Sequence, residues 1–415
     1  MTEETAAAGR HPTVYLHIGT PKSGTTFLQG VLGHNWQRLA EQGVLWPGRH
    51  WGEQVRAVRD LANITPIDHE PGETAGAWQQ LVDEIHAWDG HTAIVSMEWL
   101  VDVKPPHIRR AVASLAPADV HVVLTGRDLA RTIPAMWQES MRNWFTHTWE
   151  DYLAAVADPD ATTLEAGMRF WRQQDLGAVL RRWGKVVPAE RMHVLTLPPP
   201  GADPELLWQR FAQVIGIEAT EYTIPPKGKN VSLGVVSAEL MRRVNALAQE
   251  RGLRWNASEF LLKQVLGKRV LTRRGKQEPS LALPADVYPW AIAESKRIAD
   301  DVAQSGVRVW GDLAELIPDQ ANARETTSPS EISDRELLAA AIDGIVGMVG
   351  VLNRMRRNGT LPTGDARPDP QRAAPTDQVR DLTLRLRRNP ALRRAWHATR
   401  RGAAVARRRV MRAGR

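Results

Sequence analysis

The 415-residue chain has no cysteine. That excludes a disulfide framework, a thiolate metal site and a cysteine nucleophile, and makes a reducing, cytoplasmic setting the expectation. Phenylalanine and tyrosine are scarce, five and four against sixteen tryptophans. Tryptophan must therefore supply most aromatic volume in the core, and some of it is expected to line an acceptor site, where its flat face and single donor suit a ligand. The first ten residues, MTEETAAAGR, lack the apolar segment of a secretory signal. Long hydrophobic runs are also missing. The most apolar stretch, LLAAAIDGIVGMVGVLNRM, is broken by Asp343 and three glycines. With fewer than about 18 uninterrupted apolar residues it reads as too short to span a membrane. It is expected to dock on the body or to pair with a second copy, giving a homo-oligomer.

The net charge of +7 would ordinarily invite a nucleic-acid partner. Its distribution argues otherwise. Residues 379–415 hold thirteen arginines and one aspartate, a charge of +12 within the total of +7, so residues 1–378 carry −5. The body is mildly acidic, nucleic acid is not expected as a partner, and the basicity belongs to a tail. Arginine-rich segments with interspersed leucines, such as this one, lie on anionic lipid, bind nucleic acid or stay solvated. An anionic membrane surface is the expectation, with the protein cytoplasmic and peripheral at the inner face.

With 43% hydrophobic residues, one large α/β domain and an extension is the simplest organisation. The expected boundaries are a disordered lead over 1–12, a catalytic domain over 13–318 and a linker over 319–332. An apolar helix over 333–357 follows, behind the capping box Ser333 to Glu336. A proline-rich connector over 358–378 and the arginine-rich tail over 379–415 complete the chain.

The informative stretch is TVYLHIGTPKSGTTFL, residues 13–28. An alternating apolar strand feeds a turn rich in glycine and hydroxyls, and then a helix start. Such a turn offers successive backbone N–H groups and the positive end of a helix dipole to a phosphate. Gly19 and Gly24 have the spacing of the common G-x-x-x-x-G-K-S/T phosphate loop, but Thr25 stands where that loop has its lysine. The lysine is Lys22, inside the loop. That displacement argues against a nucleoside triphosphate and for a shorter anion at the 5′ end of a nucleotide.

The order strand, PKSGTT, helix resembles the 5′-phosphosulfate loop of sulfotransferases that use 3′-phosphoadenosine 5′-phosphosulfate (PAPS). The resemblance is to the bacterial type, similar to glycan and heparan-sulfate sulfotransferases, and spans about residues 13–318 in the order and type of elements. It implies a P-loop-like three-layer α/β fold, a central parallel sheet flanked by helices, with PAPS as sulfuryl donor, 3′,5′-adenosine bisphosphate as product and no metal. Lys22 would stabilise the leaving phosphate, and Ser23, Gly24, Thr25 and Thr26 would hold the 5′-phosphate. Glu98, after the strand expected at 93–97, matches the glutamate that acts as general base. His17, on the first strand, is the backup base. Arg127, after the strand expected at 120–125, matches the arginine that holds the 3′-phosphate. The family's serine eight residues further on is here Ala135, so that end of the nucleotide rests mainly on Arg127. The loop containing Lys227, Gly228, Lys229 and Asn230 would close over the phosphates. The implied activity is sulfuryl transfer to a hydroxyl or amine of a carbohydrate or lipid-linked acceptor.

On the residues alone, two other readings stay open. A P-loop small-molecule kinase would need a lysine after Gly24 and a magnesium-binding acid. A nucleotide-binding scaffold without activity has only Ala135 and the long tail in its favour. A helix is expected over about 25–39, and further strands and helices at 192–197, 204–214, 237–250 and 286–306. Trp46, His50 and Trp51 are candidates for the rim of the acceptor pocket. The basic stretch LKQVLGKRVLTRRGKQEPS has no clear secondary structure in its pattern and would attract either an anionic acceptor or nothing specific.

Overall fold

The computed structural model describes residues 11–64, 72–158, 165–226, 232–275, 277–323 and 325–360. Residues Met1–Asn358 form one compact unit, and the second unit, Gly359–Arg415, lies almost wholly outside the described residues, as do the expected lead, most of the connector and the tail. The first unit is built on six strands: β1 (Thr13–Gly19), β2 (Val44–Leu45), β3 (Thr92–Ser96), β4 (Asp119–Gly126), β5 (Met192–Thr196) and β6 (Arg308–Trp310). They form one sheet in the order β2-β3-β1-β4-β5-β6, every pair parallel.

Both faces of these strands are apolar, as a parallel sheet covered by helices on each side requires. Val14, Leu16, Ile18, Val95, Val122 and Val194 point into one core, packed with the helices Trp51–Ala62, Ala77–His86, Leu129–Arg142 and Leu176–Trp183. Ile94, Val123 and Leu195 point into the other, beneath the helices Thr25–His34 and Leu206–Ile215. This is the three-layer α/β arrangement with a central parallel sheet that the sequence implied. Tryptophan carries much of the bulk: Trp78, Trp137, Trp149, Trp183 and Trp208 are all fully buried. Trp78 and Trp208 satisfy their indole N–H groups at Ser114 Oγ (2.9 Å) and the Ala219 carbonyl (3.1 Å).

Four elements depart from expectation. The short strands β2 and β6 escape a pattern search because two or three residues cannot display a period. The first helix ends at His34, and a separate turn of helix, Trp36–Glu41, follows Asn35. The amide of Asn35 bonds the Val31 carbonyl (2.8 Å) and the Thr223 carbonyl (2.7 Å), which breaks the run expected to reach Leu39. The basic stretch, left without structure in the pattern, forms a wide helix with π-type bonding, Phe260–Leu271.

The expected linker over 319–332 is docked on the body. Ile332 is buried, Ser330 Oγ reaches Glu150 (2.8 Å) and Ser328 also bonds Glu150. The capping box at Ser333 starts a helix, Asp334–Arg357, of 24 residues. An 18-residue window with mean hydropathy 1.6 makes it long and apolar enough to cross a membrane by length and composition alone, where the interrupted run read as too short. Only 22% of that window is buried. Leu337, Ala340, Gly344, Val351 and Met355 turn inward, whereas Leu338, Ile342, Ile345, Val346 and Val349 are all more than half exposed.

Three histidines are held neutral by the packing. Burial lowers His17 to about 3. Burial, with Arg169 beside it, lowers His147 to about 4, and burial, with His121 and Arg308, lowers His193 to about 4. A histidine whose native pKa lies below its unfolded value of about 6.5 takes up its proton more readily when unfolded. Its contribution is complete above that value and is lost as pH falls towards the native pKa, at about 1.4 kcal/mol per pH unit for the fully buried His17. The thermal midpoint should therefore fall between about pH 7 and pH 5, above most carboxylate titration, and fall less in His17→Gln. A midpoint flat across that range in the unsubstituted protein would refute this.

Candidate functional site

The carboxyl ends of three adjacent strands meet at one place. β1 lies between β3 and β4, and the chain leaves β1 for the β2–β3 side before returning to β4 on the other. Ligands of open parallel sheets bind outside the carboxyl ends at such a reversal. The segment 19–26 follows β1, Glu98 follows β3 by two residues, and Arg127 follows β4 directly.

The loop is tied down by hydroxyls. Thr125 Oγ1 donates to the Gly19 carbonyl (2.9 Å) and pairs with Ser23 Oγ (2.5 Å), while the Thr20 N–H donates to the Thr125 carbonyl (2.9 Å). The three carbonyls that follow are each occupied: Thr20 by Ser23 Oγ (2.5 Å), Pro21 by Gln174 Nε2 (3.0 Å) and Lys22 by Arg127 Nη1 (3.1 Å). In a planar peptide the N–H points opposite to the C=O. Pinning the carbonyls of Pro21 and Lys22 therefore turns the N–H groups of Lys22 and Ser23 away from those partners, in the stretch that leads into the first turn of the helix Thr25–His34. That first turn has N–H groups without intrahelical acceptors, and unpaired amides ahead of a helix start suit an anion. Lys22 (φ 67) and Gly24 (φ 93) both adopt left-handed backbone geometry. For Lys22 this costs about 1 to 2 kcal/mol, which the surrounding bonds must hold in place.

Lys22 Nζ lies 2.9 Å from Glu139 Oε2, on the helix Leu129–Arg142. Arg142 Nη1 is 3.3 Å from the same oxygen, and Asn143 Nδ2 donates to Glu139 Oε1 (3.1 Å). Burial alone would raise the Glu139 pKa, but Lys22, Arg142 and Lys263 outweigh it and hold the carboxyl well below the usual carboxylate range. Glu139 is thus a permanent anion that positions the loop lysine, and a poor proton acceptor. Sequence reasoning missed it. A lone glutamate ten residues into an amphipathic helix carries no local signal. Gln174 and Thr125, which fix the loop carbonyls, were missed for the same reason.

Glu98 opens the 3-10 turn Glu98–Asp102 and is partly exposed. Gln29 Nε2, from the helix behind the loop, donates to Glu98 Oε2 (3.1 Å) and to the Ser96 carbonyl (3.3 Å). Gly19 lies so close that a Cβ there would stand 3.2 Å from the Glu98 carbonyl oxygen. The structure thus brings Glu98 to the base of the loop. Arg127 is held against the loop from the other flank. Burial, with Arg131 near, lowers its pKa to about 10 against the pull of Asp128, so it stays charged at neutral pH. Its Nε is buried without a hydrogen-bond partner among the described residues, capacity for an acceptor that the fold itself does not use.

Three expectations need correction. His17 is fully buried, its Nδ1 paired with Ser96 Oγ (2.7 Å) and its ring against the edge of Phe211 (5.5 Å), so the backup base is a packing residue. The Ser23 hydroxyl is likewise buried and spent on Thr20 and Thr125, which leaves Ser23 only its backbone N–H for a ligand. Trp46 belongs to the core rather than a pocket rim. Thr25 is buried and Thr26 exposed at the helix start, His50 is exposed, and Trp51 is at the surface with its indole N–H on the Ser96 carbonyl (3.0 Å). Lys227, Gly228, Lys229 and Asn230 lie outside the described residues.

No family model matches the chain, and no curated protein matches it in sequence. Among solved structures it is similar to a sulfotransferase from Alicyclobacillus acidocaldarius, 13% identical, covering 58% of this chain and 95% of that one, with a TM-score of 0.35. A superposition this loose carries no weight on activity, which rests on the residues themselves.

Gly24 tests the loop. A Cβ at its φ of 93° would stand 2.4 Å from Leu207 Cδ2. Gly24→Ala should lower the denaturant-unfolding stability by about 1 to 3 kcal/mol. An unchanged unfolding midpoint would show that the loop does not hold this geometry.

Proposed function

We propose that the protein is a PAPS-dependent sulfotransferase that moves a sulfuryl group to a hydroxyl or amine of a carbohydrate or lipid-linked acceptor. The observation that carries this reading is the loop itself: three pinned carbonyls, amides turned the other way, and Lys22 in the loop rather than after Gly24. The residues present fit the donor. Amides of the loop and first helical turn, with Gly24, Thr25 and Thr26, would hold a 5′-phosphate, and Arg127, charged and with a buried unused N–H, suits a second phosphate. PAPS supplies an activated sulfuryl group whose departure leaves a phosphate oxygen carrying new negative charge.

The chain's own residues then divide the work. Lys22 exchanges Glu139 for that oxygen and neutralises it as the sulfur–oxygen bond breaks. Glu98 takes the proton of the acceptor as the acceptor's oxygen or nitrogen bonds to sulfur. Gln29 orients the Glu98 carboxylate by its bond to Oε2 (3.1 Å), and the abutting Gly19 sets the distance between base and loop.

The reading extends to location. The arginine-rich segment 379–415 and the exposed apolar stripe Leu338, Ile342, Ile345, Val346 and Val349 support a cytoplasmic protein peripheral to an anionic membrane surface.

Three measurements test these proposals. 3′,5′-Adenosine bisphosphate should raise the thermal midpoint where ATP with magnesium does not, and Glu98→Gln should keep that stabilisation while losing about 10²- to 10⁴-fold in sulfuryl-transfer turnover. Stabilisation by ATP alone would favour a kinase, and unchanged turnover would remove Glu98 from the mechanism. Full-length protein should co-sediment with vesicles containing anionic lipid and be released by salt; equal binding to neutral vesicles would sink the membrane contact.

A further inference from the structure

Trp51 is 37% exposed and yet fastened. It stands at the first position of the helix Trp51–Ala62, where helical side chains lean back past the helix start. Its indole N–H reaches the end of β3 and donates to the Ser96 carbonyl (3.0 Å). Gln54, fully buried one turn further on, holds the same segment in place. Its Nε2 donates to the Pro47 carbonyl (3.0 Å), and its Oε1 accepts the Ser96 N–H (2.8 Å). Both backbone groups of Ser96 are thus bonded by side chains of this one helix.

The Ser96 carbonyl is shared. Gln29 Nε2 donates to it (3.3 Å) and also to Glu98 Oε2 (3.1 Å). Three hydrogen bonds in series, through Ser96 and Gln29, therefore connect the Trp51 indole to the carboxylate assigned as base. Val55 and Arg59 follow Trp51 at intervals of four along the helix, and the Arg59 guanidinium lies over the ring of Trp99 (5.2 Å), the residue after Glu98. The helix face that begins at Trp51 accordingly runs beside the turn Glu98–Asp102.

A tryptophan held by its edge and open at the surface suits a particular kind of ligand. The bond to Ser96 fixes the ring, so little side-chain freedom is lost when something covers it. A wholly apolar ligand needs a cavity that buries most of its surface, which one open ring does not provide. A pyranose has an apolar face of C–H groups that can lie on the indole, and a rim of hydroxyls that can stay in water or meet a carboxylate.

We propose that Trp51 is the platform for the acceptor: a neutral pyranose unit stacks on its indole, and this sets one ring hydroxyl against Glu98. The proposal rests on the transferase reading for the role of Glu98, and on the fastening of Trp51 for the sugar. Trp51 binds and orients the ring and moves no proton. Recognition by a ring face requires no charge on the sugar, so this contact selects for shape.

The test is calorimetric titration of the full-length protein at low and moderate salt. The probes are neutral hexasaccharides of glucose, galactose and N-acetylglucosamine, a nitrophenol and dodecyl phosphate, with 3′,5′-adenosine bisphosphate titrated separately. At least one hexasaccharide should bind tighter than the phenol and the alkyl phosphate, with an affinity that salt leaves unchanged. Trp51→Gln keeps an N–H donor and removes the ring face; it should weaken that sugar about tenfold or more. Trp51→Phe keeps a ring face and removes the donor, and should retain most of the affinity. Bisphosphate affinity should stay unchanged in both. In turnover with that sugar as acceptor, Trp51→Gln should raise KM more than it lowers kcat. Equal losses in the two variants, tighter binding of the phenol or the alkyl phosphate, or binding of no hexasaccharide would overturn the proposal. Sugar binding that follows the ring face, without any bisphosphate binding, would uphold the platform and overturn the transferase reading.

Discussion

The hydroxyl of Thr125 is where the site is anchored. It donates to the Gly19 carbonyl at the end of β1 and pairs with Ser23 at the middle of the loop, so a single side chain on β4 fixes both ends of the first loop peptides. The Thr125 carbonyl takes the Thr20 N–H from the same side. The contacts of Gln174 with Pro21 and of Arg127 with Lys22 act on a segment already located by these bonds. The neighbouring strand is thereby the template for the loop, and the parallel pairing of β1 with β4 becomes a condition for the loop's shape rather than a background to it.

This arrangement separates two kinds of charge. Arg127 is half-buried and structural in part, spending one N–H on the backbone of Lys22. Lys22 is more exposed and engages only a side chain, Glu139. Side-chain ion pairs can be exchanged without moving the backbone, so the loop would keep its shape if its lysine changed partner, as the proposed transfer requires. A low-pKa carboxylate suits such an exchange because it remains ionised whatever the lysine does, and its retained neighbours Arg142 and Asn143 compensate it when the lysine leaves.

Much of this was legible in the residue order. The strand, the two glycines, the displaced Lys22, and Glu98 and Arg127 at successive strand ends are local patterns, and the sheet brings them to one edge. What escaped was whatever depends on non-local pairing. Glu139 matters because Lys22 reaches it across 117 residues, and Gln174 because it meets Pro21 across 153. His17 was misjudged by the same limit. An alternating strand shows which face a side chain takes, but only the packing of Phe211 and Ser96 shows that this face is sealed. The strands β2 and β6 are too short for any period, and the helix Phe260–Leu271 mixes lysines and arginines into an apolar run without a clean stripe.

The extension helix Asp334–Arg357 makes its closest approach through glycines. A Cβ at Gly347 would stand 2.4 Å from Val270 Cγ1, and one at Gly344 would stand 3.2 Å from Leu266 Cδ1. Both contacts fall on the helix that carries Lys263 and Lys268, and Arg274 just beyond it pairs with Asp343. The extension helix is thus fitted to Phe260–Leu271 rather than merely laid on it, and any side chain placed at Gly347 would have to displace Val270 before the two could meet.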